Sequence, residues 1–278
     1  MPTVRTGKLS LPDASIYYEV RGSGPPLLLI PTGNGDATPF GPMADDLARQ
    51  YTVITYDRRG FSRSTVFADV DDTRRVADDV ADARHLIDQL GAGHADVFGS
   101  CSGGIVALAL LQRHPERVRR LVAHEPPLAS VLPDADSWLA YYDDLYATYR
   151  TEGLTAAKEA FRAHVGLGAE TRPPPGSELP PERLEELLER LRHNLVFWFE
   201  HEVRTFPGHR LDLGALAAAA DRLVLAGSTT GRDEFAYRPN QALAATLGLP
   251  LRHFPGGHVA HVTHPFAFAT ALRDALAT

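Results

Sequence analysis

The sequence predicts an α/β protein: a mostly parallel central sheet with helices on both faces, interrupted by a helical insertion. Three observations lead there. Short apolar runs such as Leu27–Ile30, Thr52–Tyr56 and Val118–Ala123 alternate with amphipathic stretches at helical spacing, as expected of strands buried on both faces and joined by crossover helices. Residues 94–108, His-Ala-Asp-Val-Phe-Gly-Ser-Cys-Ser-Gly-Gly-Ile-Val-Ala-Leu, read as a short strand, a turn of small residues and the start of an apolar helix. Between Pro127 and about Arg210 the alternation stops, leaving helical stretches, a Pro-rich break at 172–177 and no segment that reads as a central strand.

The elements follow in order. Residues 3–20 read as an opening antiparallel pair, and Pro25-Pro26 leads into the buried strand Leu27–Ile30, which ends in the loop Pro31–Asp36. A helix is predicted near 39–49, a strand at Thr52–Tyr56, and a covering helix over 72–90, where acids and apolar residues alternate at helical spacing. After the strand, turn and helix of 94–108 come the strands Val118–Ala123, Leu223–Ala226 and Leu251–Phe254, then a closing helix Phe266–Leu276. The expected division is a core of 1–127 and 211–278 with a helical cap over 128–210. No internal repeat is visible, and the alanine-rich run at 215–220 is the one low-complexity stretch.

Composition narrows the function classes. At 278 residues and 44% hydrophobic content the chain can bury a sizeable core. A net charge of −7, with arginines scattered among acids, gives no basic stripe for nucleic acid. A single cysteine forms no internal disulfide, the N-terminus carries no signal-length apolar stretch, and Leu27–Ile30 is far too short to span a bilayer. The expectation is a protein of the reducing cytoplasm, with no membrane and no nucleic-acid partner, in which a thiol stays available.

The turn at 99–103 carries the chemistry. Gly99-x-Cys101-x-Gly103 is a nucleophile elbow: the tip residue adopts a strained conformation, and only glycines let strand and helix pass close by. Cys101 stands where such turns usually hold serine. Ser100 and Ser102 flank it, so a thiol that is the native nucleophile and a thiol standing in for serine are both open readings.

These residues carry a resemblance to the α/β-hydrolase superfamily that extends over nearly the whole chain. Gly-Ser-Cys-Ser-Gly-Gly at 99–104 is similar to the elbow, Tyr-Asp-Arg-Arg-Gly-Phe-Ser-Arg-Ser at 56–64 to the loop after the preceding strand, and Phe-Pro-Gly-Gly-His at 254–258 to the segment that delivers the histidine. Position and aromatic content make 128–210 similar to the cap insertion of that superfamily. The resemblance implies a catalytic triad. Cys101 is the expected nucleophile, and His258, in a Gly-Gly turn after the last strand, the expected base. His261 and His264 follow at helical intervals and raise a metal-ligand alternative, but no acid or thiol lies close in sequence, so no metal is expected.

For the acid, many members of the superfamily place aspartate after the strand equivalent to Leu223–Ala226. This chain has Thr230 at that place and Asp233 three positions later. Others, haloalkane dehalogenases among them, carry the acid after the strand that follows the elbow helix, where Glu125 stands here. Glu125 is preferred on topology and Asp233 is the alternative. The expected oxyanion donors are the backbone N–H groups of Ser102 and, from the loop after the first parallel strand, Asn34. Thr32, Trp138, Tyr142, Phe197 and Trp198 are the expected walls of an apolar substrate pocket.

The implied activity is cofactor-free hydrolysis of a carboxylic ester, lactone or thioester with a hydrophobic moiety, through an acyl-enzyme. Two alternatives stand beside it: a non-hydrolytic lyase, cyclase or acyltransferase on the same triad, and a non-catalytic receptor for a small ligand. The carboxylate nucleophile of epoxide hydrolases and haloalkane dehalogenases is absent at position 101.

Overall fold

The computed structural model describes residues 3–164, 174–176 and 178–277. Of the Pro-rich break, residues 172, 173 and 177 lie outside the described residues. The strands are β1 (Val4–Ser10), β2 (Ala14–Arg21), β3 (Pro26–Ile30), β4 (Thr52–Tyr56), β5 (Thr65–Val66), β6 (Ala95–Ser100), β7 (Val118–His124), β8 (Leu223–Ser228) and β9 (Leu251–Phe254). The sheet runs β1-β2-β4-β3-β6-β7-β8-β9, with β5 paired to β2. The β1–β2, β2–β4 and β2–β5 pairs are antiparallel, and every pair from β4 to β9 is parallel. The α/β-hydrolase fold class expected from the sequence is the fold observed.

Helices cover both faces. On one side α2 (Arg75–Leu90) and α3 (Ser102–Arg113) bury Val80, Leu86, Ile105 and Leu108 against Leu28, Ile54 and Val97. On the other, α1 (Gly41–Leu47) and the closing helix (Pro265–Leu276) bury Met43, Leu47, Phe268 and Leu272 against Leu27, Leu29, Phe98 and Phe254. Side chains of alternating strand residues therefore enter opposite cores, which explains why β3 reads as an unbroken apolar run rather than an alternation. Each such large side chain, fully buried, stabilises the fold by about 1.5–3 kcal/mol.

Boundaries shift where turn chemistry intervenes. The helix expected near 39–49 divides into a single 3-10 turn at Thr38–Phe40 and α1, with Pro39 and Pro42 each opening its own short piece. Among the described residues between β7 and β8 are three long helices, α4 (Ala135–Glu152), α5 (Leu154–His164) and α6 (Pro181–His201), then α7 (Leu213–Ala218). Three helices went unread in the sequence, α7, α8 (Arg238–Leu247) and α9 (Ala260–Thr263), and the closing helix is α10. Phe61 and Phe235 from the sheet-edge loops join Tyr142, Leu145, Trp198 and Phe199 in one buried cluster, so α4 and α6 are packed onto the carboxyl ends of the strands. Among the described residues no helix is long and apolar enough to cross a membrane.

Candidate active site

The loops after β4, β7 and β8 send Phe61, Ala129 and Phe235 into this aromatic cluster, and Cys101 stands at the tip of the turn after β6. β6 is buried along its whole length and α3 starts at Ser102. Between them Cys101 has φ 55° and ψ −128°, outside the regions open to most residues. Its N–H donates to His124 O at 3.0 Å, and its carbonyl accepts from Gly104 N–H at 2.8 Å, so the tip is held from both sides. A methyl group at Gly99 would overlap the carbonyl of Gly103, and one at Gly103 would overlap the carbonyls of Ile30 and Pro31. The two glycines are the condition for the turn.

A second strained residue faces the first. Glu125, at the end of β7, has φ 43° and is followed by two prolines. Its Oε1 accepts the Ser228 N–H at 2.7 Å and its Oε2 lies 2.8 Å from His258 Nδ1. His258 leaves the Gly256-Gly257 turn after β9, and its remaining ring nitrogen meets the Cys101 sulfur in a hydrogen bond. Glu125, His258 and Cys101 thus form a continuous line from β7 through the β9 loop to the elbow. Asp233 is exposed and is not a hydrogen-bond partner of His258, which has Glu125 on one side and Cys101 on the other. Its neighbour Glu234 is the carboxylate that senses the site: burial raises its pKa, and the charge of Glu125 adds to that.

The electrostatics favour charge separation. Burial pushes the Cys101 thiol up, but the His258 imidazolium and the N–H groups of Gly33 and Ser102 outweigh it, and the thiol falls below its ordinary value. Burial alone would lower His258. The sulfur and Glu125 reverse that and hold the imidazole at about 10. Glu125 itself is opposed by burial, yet the imidazoles of His124 and His258 and the Ser228 N–H bring it down to about 2. Sulfur and imidazole therefore act on each other in opposite directions, the imidazole lowering the thiol and the sulfur raising the imidazole, while Glu125 stays a carboxylate. Behind it His124 is fully buried with a pKa of about 4, lowered by burial, and its ring nitrogens face Ser100 Oγ at 3.1 Å and Ser228 Oγ at 3.4 Å.

The backbone donors at the sulfur differ from the sequence expectation at one position. Ser102 N–H is directed at Cys101, and its companion is Gly33, not Asn34. A tight turn in which Gly35 N–H donates to Thr32 O at 3.0 Å rotates the loop so that the peptide before Gly33 presents its N–H to the elbow. Asn34 instead builds the turn and ties it to α6. Its Oδ1 accepts Asp36 N–H at 3.2 Å, and its carbonyl accepts Asn194 Nδ2 at 2.7 Å.

Above the sulfur is a cavity of about 320 Å³ with apolar walls, within the range of small-molecule sites. Thr32, Tyr142 and Trp198 line it together with Phe161, Phe206 and Phe235. Trp138 stands behind that wall, its ring 3.9 Å from the Phe235 ring, centroid to centroid. Phe197 turns away: one residue along α6 rotates a side chain by about 100°, and its ring packs on Phe61 at 4.8 Å in a separate outer groove. The rings of Phe161, Phe206 and Phe235 could not be assigned to the cavity from sequence, because each comes from a different element. Among the described residues no group of three or more His, Cys, Asp or Glu side chains is gathered as metal ligands would be. His261 is instead buried against Phe40 and Phe268, and His264 is exposed.

Residues 25–165 match the family model described as the alpha/beta hydrolase fold. An uncharacterized hydrolase of Bacillus subtilis strain 168, YraK, is 33% identical over 280 aligned residues, covering 99% of this chain and 97% of that one. The chain belongs to the α/β-hydrolase family. A zearalenone hydrolase of Cladophialophora bantiana is 32% identical, with 91% of this chain and 89% of that protein covered. The crystal structure of a hydrolase from Pseudomonas aeruginosa PA01 superposes with a TM-score of 0.70 at 25% identity, covering 98% of each chain. As an α/β hydrolase the protein is an enzyme, and its substrate is a small molecule.

The least legible part of this hydrolase's site is ionic. Glu202, at the end of α6, lines the cavity yet is fully buried, with Arg58 Nη2 at 2.6 Å and Arg75 Nη2 at 2.7 Å. Arg58 is also fully buried and reaches Asp79 at 2.5 Å. Arg58 and Glu202 are 144 positions apart, and only the folded chain shows that they meet.

Proposed function

We propose that this hydrolase cleaves a carboxylic ester, lactone or thioester with a hydrophobic moiety, by acyl transfer to Cys101 and then to water. One observation carries the reading: the Cys101 sulfur is met at once by His258 and by two backbone N–H groups, at the floor of an aromatic-walled cavity. A thiolate so placed attacks a carbonyl carbon, and the C–S bond forms as the carbonyl oxygen takes the negative charge. That oxygen accepts from Gly33 and Ser102 N–H, which the sulfur vacates as it moves. The oxyanion collapses, the leaving oxygen or sulfur takes the proton from the His258 imidazolium, and an acyl-thioester remains. His258, now neutral with Nδ1–H held by Glu125, removes a proton from water, which attacks the thioester and frees the acid and the thiolate. No cofactor is needed for any step.

Phe161, Trp198, Phe206 and Phe235 support a hydrophobic moiety, and the likeness to a zearalenone hydrolase fits an apolar substrate. The test is a series of p-nitrophenyl esters of rising chain length, run in ¹⁸O-labelled water. The reading expects kcat/KM to rise with chain length until the cavity is filled, and one ¹⁸O atom in each acid released. Turnover without ¹⁸O would instead indicate an acyltransferase or lyase. Ligand binding with no turnover and no adduct would indicate a receptor.

A further inference from the structure

The donor Gly33 N–H belongs to the peptide group whose carbonyl is Thr32 O. A peptide unit is planar, and its C=O and N–H point in opposite directions, so whatever holds the Thr32 carbonyl also aims the Gly33 N–H. Two donors hold it: Gly35 N–H at 3.0 Å and the Arg58 guanidinium, Nη1 at 3.3 Å. The guanidinium cannot drift. It is fully buried, its Nη1 also donates to Glu202 Oε2 at 3.1 Å, its Nη2 lies 2.6 Å from Glu202 Oε1 and 2.5 Å from Asp79, and its backbone N–H donates to Gly35 O at 2.8 Å. Phe61 and Phe206 flank it, each ring centroid 5.0 Å from Cζ.

We propose that Arg58 is a positioning residue for the oxyanion hole: its buried guanidinium, anchored by Asp79 and the cap residue Glu202, grips the Thr32 carbonyl and so aims and polarises the Gly33 N–H at Cys101. A cation on a carbonyl oxygen draws electron density through the amide and makes the N–H on the far side a better donor. The donor strengthens most where negative charge develops, on the oxyanion of the transition state. Arg58 touches neither sulfur nor substrate. It acts through one peptide group, and because Glu202 ends α6, the seating of the cap is part of the same support. The proposal rests on the acyl-transfer reading above and adds to it which residue supports one of the two donors.

Two reactions of the same sulfur separate this role from general structural support. Acyl transfer develops an oxyanion; alkylation of Cys101 by iodoacetamide is a displacement at saturated carbon and develops none. In Arg58→Lys a single ammonium cannot hold Glu202, Asp79 and Thr32 O together in the guanidinium's planar geometry. Arg58→Met combined with Asp79→Asn removes one charge of each sign, leaving Arg75 on Glu202. In whichever variant is folded by circular dichroism, we expect kcat for a p-nitrophenyl ester to fall by about tenfold or more, since losing such a donor outright costs on the order of 10²–10³. The iodoacetamide rate, taken at a pH high enough that the sulfur is thiolate in every variant, should stay within about threefold, and KM should change little. Equal loss in both reactions, or no loss in either, would overturn the role of Arg58. If instead the unsubstituted protein never acylates at Cys101, it is the acyl-transfer reading that fails.

Discussion

Replacing Glu125 by glutamine tests how the base is held. The carboxylate serves two donors, Ser228 N–H at 2.7 Å and His258 Nδ1–H at 2.8 Å. A glutamine keeps its oxygen for only one of them. With the oxygen on Ser228 N–H, the amide NH₂ faces His258 and pushes the imidazole to the tautomer with its proton on Nε2, which cannot accept a proton from water. The charge is lost as well. His258 is held at about 10 against an ordinary 6.5 by the sulfur and Glu125 together, and each tenfold of proton affinity is about 1.4 kcal/mol. Removing Glu125 takes away one of the two groups that raise the imidazole, so the imidazolium becomes easier to deprotonate. Tautomer and charge effects multiply, so Glu125→Gln is expected to lower kcat/KM by on the order of 10² or more. The sign of the pH effect is fixed too. The thiolate–imidazolium pair is lost as pH rises through the His258 pKa, so the alkaline limb of the profile moves down in the variant. Steady-state rates on a p-nitrophenyl ester from pH 5 to 10 read both effects. Exposed Asp233, changed to asparagine, should lose less than about threefold. If Asp233→Asn costs more than Glu125→Gln, the acid lies after β8 and the reasoning is refuted.

Two further outcomes follow from the same geometry. His258→Ala should abolish turnover with the fold intact, while His264→Ala keeps it, His261→Ala lowers thermal stability rather than kcat, and chelators have no effect; equal loss at all three positions with chelator inactivation would point to a metal site. Cys101→Ser should change the shape of the pH profile: without the sulfur, His258 loses the first of the two groups that raise it and must be neutral to activate a hydroxyl, so activity should climb with pH through the imidazole pKa, with an acid limb unlike that of the parent, whose thiol is itself lowered by the imidazole. A serine variant with the same acid limb as the parent would contradict the coupling of sulfur and imidazole.

The fold was readable because parallel strands buried on both faces leave runs such as Leu27–Ile30 and Val118–Ala123 that few other environments tolerate. Short or propensity-poor pieces were not: β5 is two residues long, and α8 begins Arg-Pro-Asn after a 3-10 turn. At the site, Cys101 and the Gly-Gly segment before His258 carry local backbone signatures, so their positions could be read from spacing. Glu125 could be reached from strand order, but the positive φ that turns its carboxylate toward His258 could not. The choice of Gly33 over Asn34 depends on which way one peptide unit rotates in a four-residue turn, and that is set by Gly35 and by Arg58. Phe197 and Trp198 differ by one helical step, which sends one ring outward and the other into the cavity. The Arg58–Asp79–Glu202–Arg75 cluster joins three distant segments, and no local pattern announces it.

The central claim is that the sulfur of Cys101 becomes acylated. Mixing the protein with a short-chain p-nitrophenyl ester, quenching in acid within seconds and measuring intact mass followed by peptide mapping tests it directly. The account predicts one added acyl group, on the peptide that holds Cys101, appearing with the burst of nitrophenol and persisting in Glu125→Gln, where release is slowed. An acyl group on Ser100 or Ser102, or turnover with no adduct at any quench time and in no variant, would contradict it.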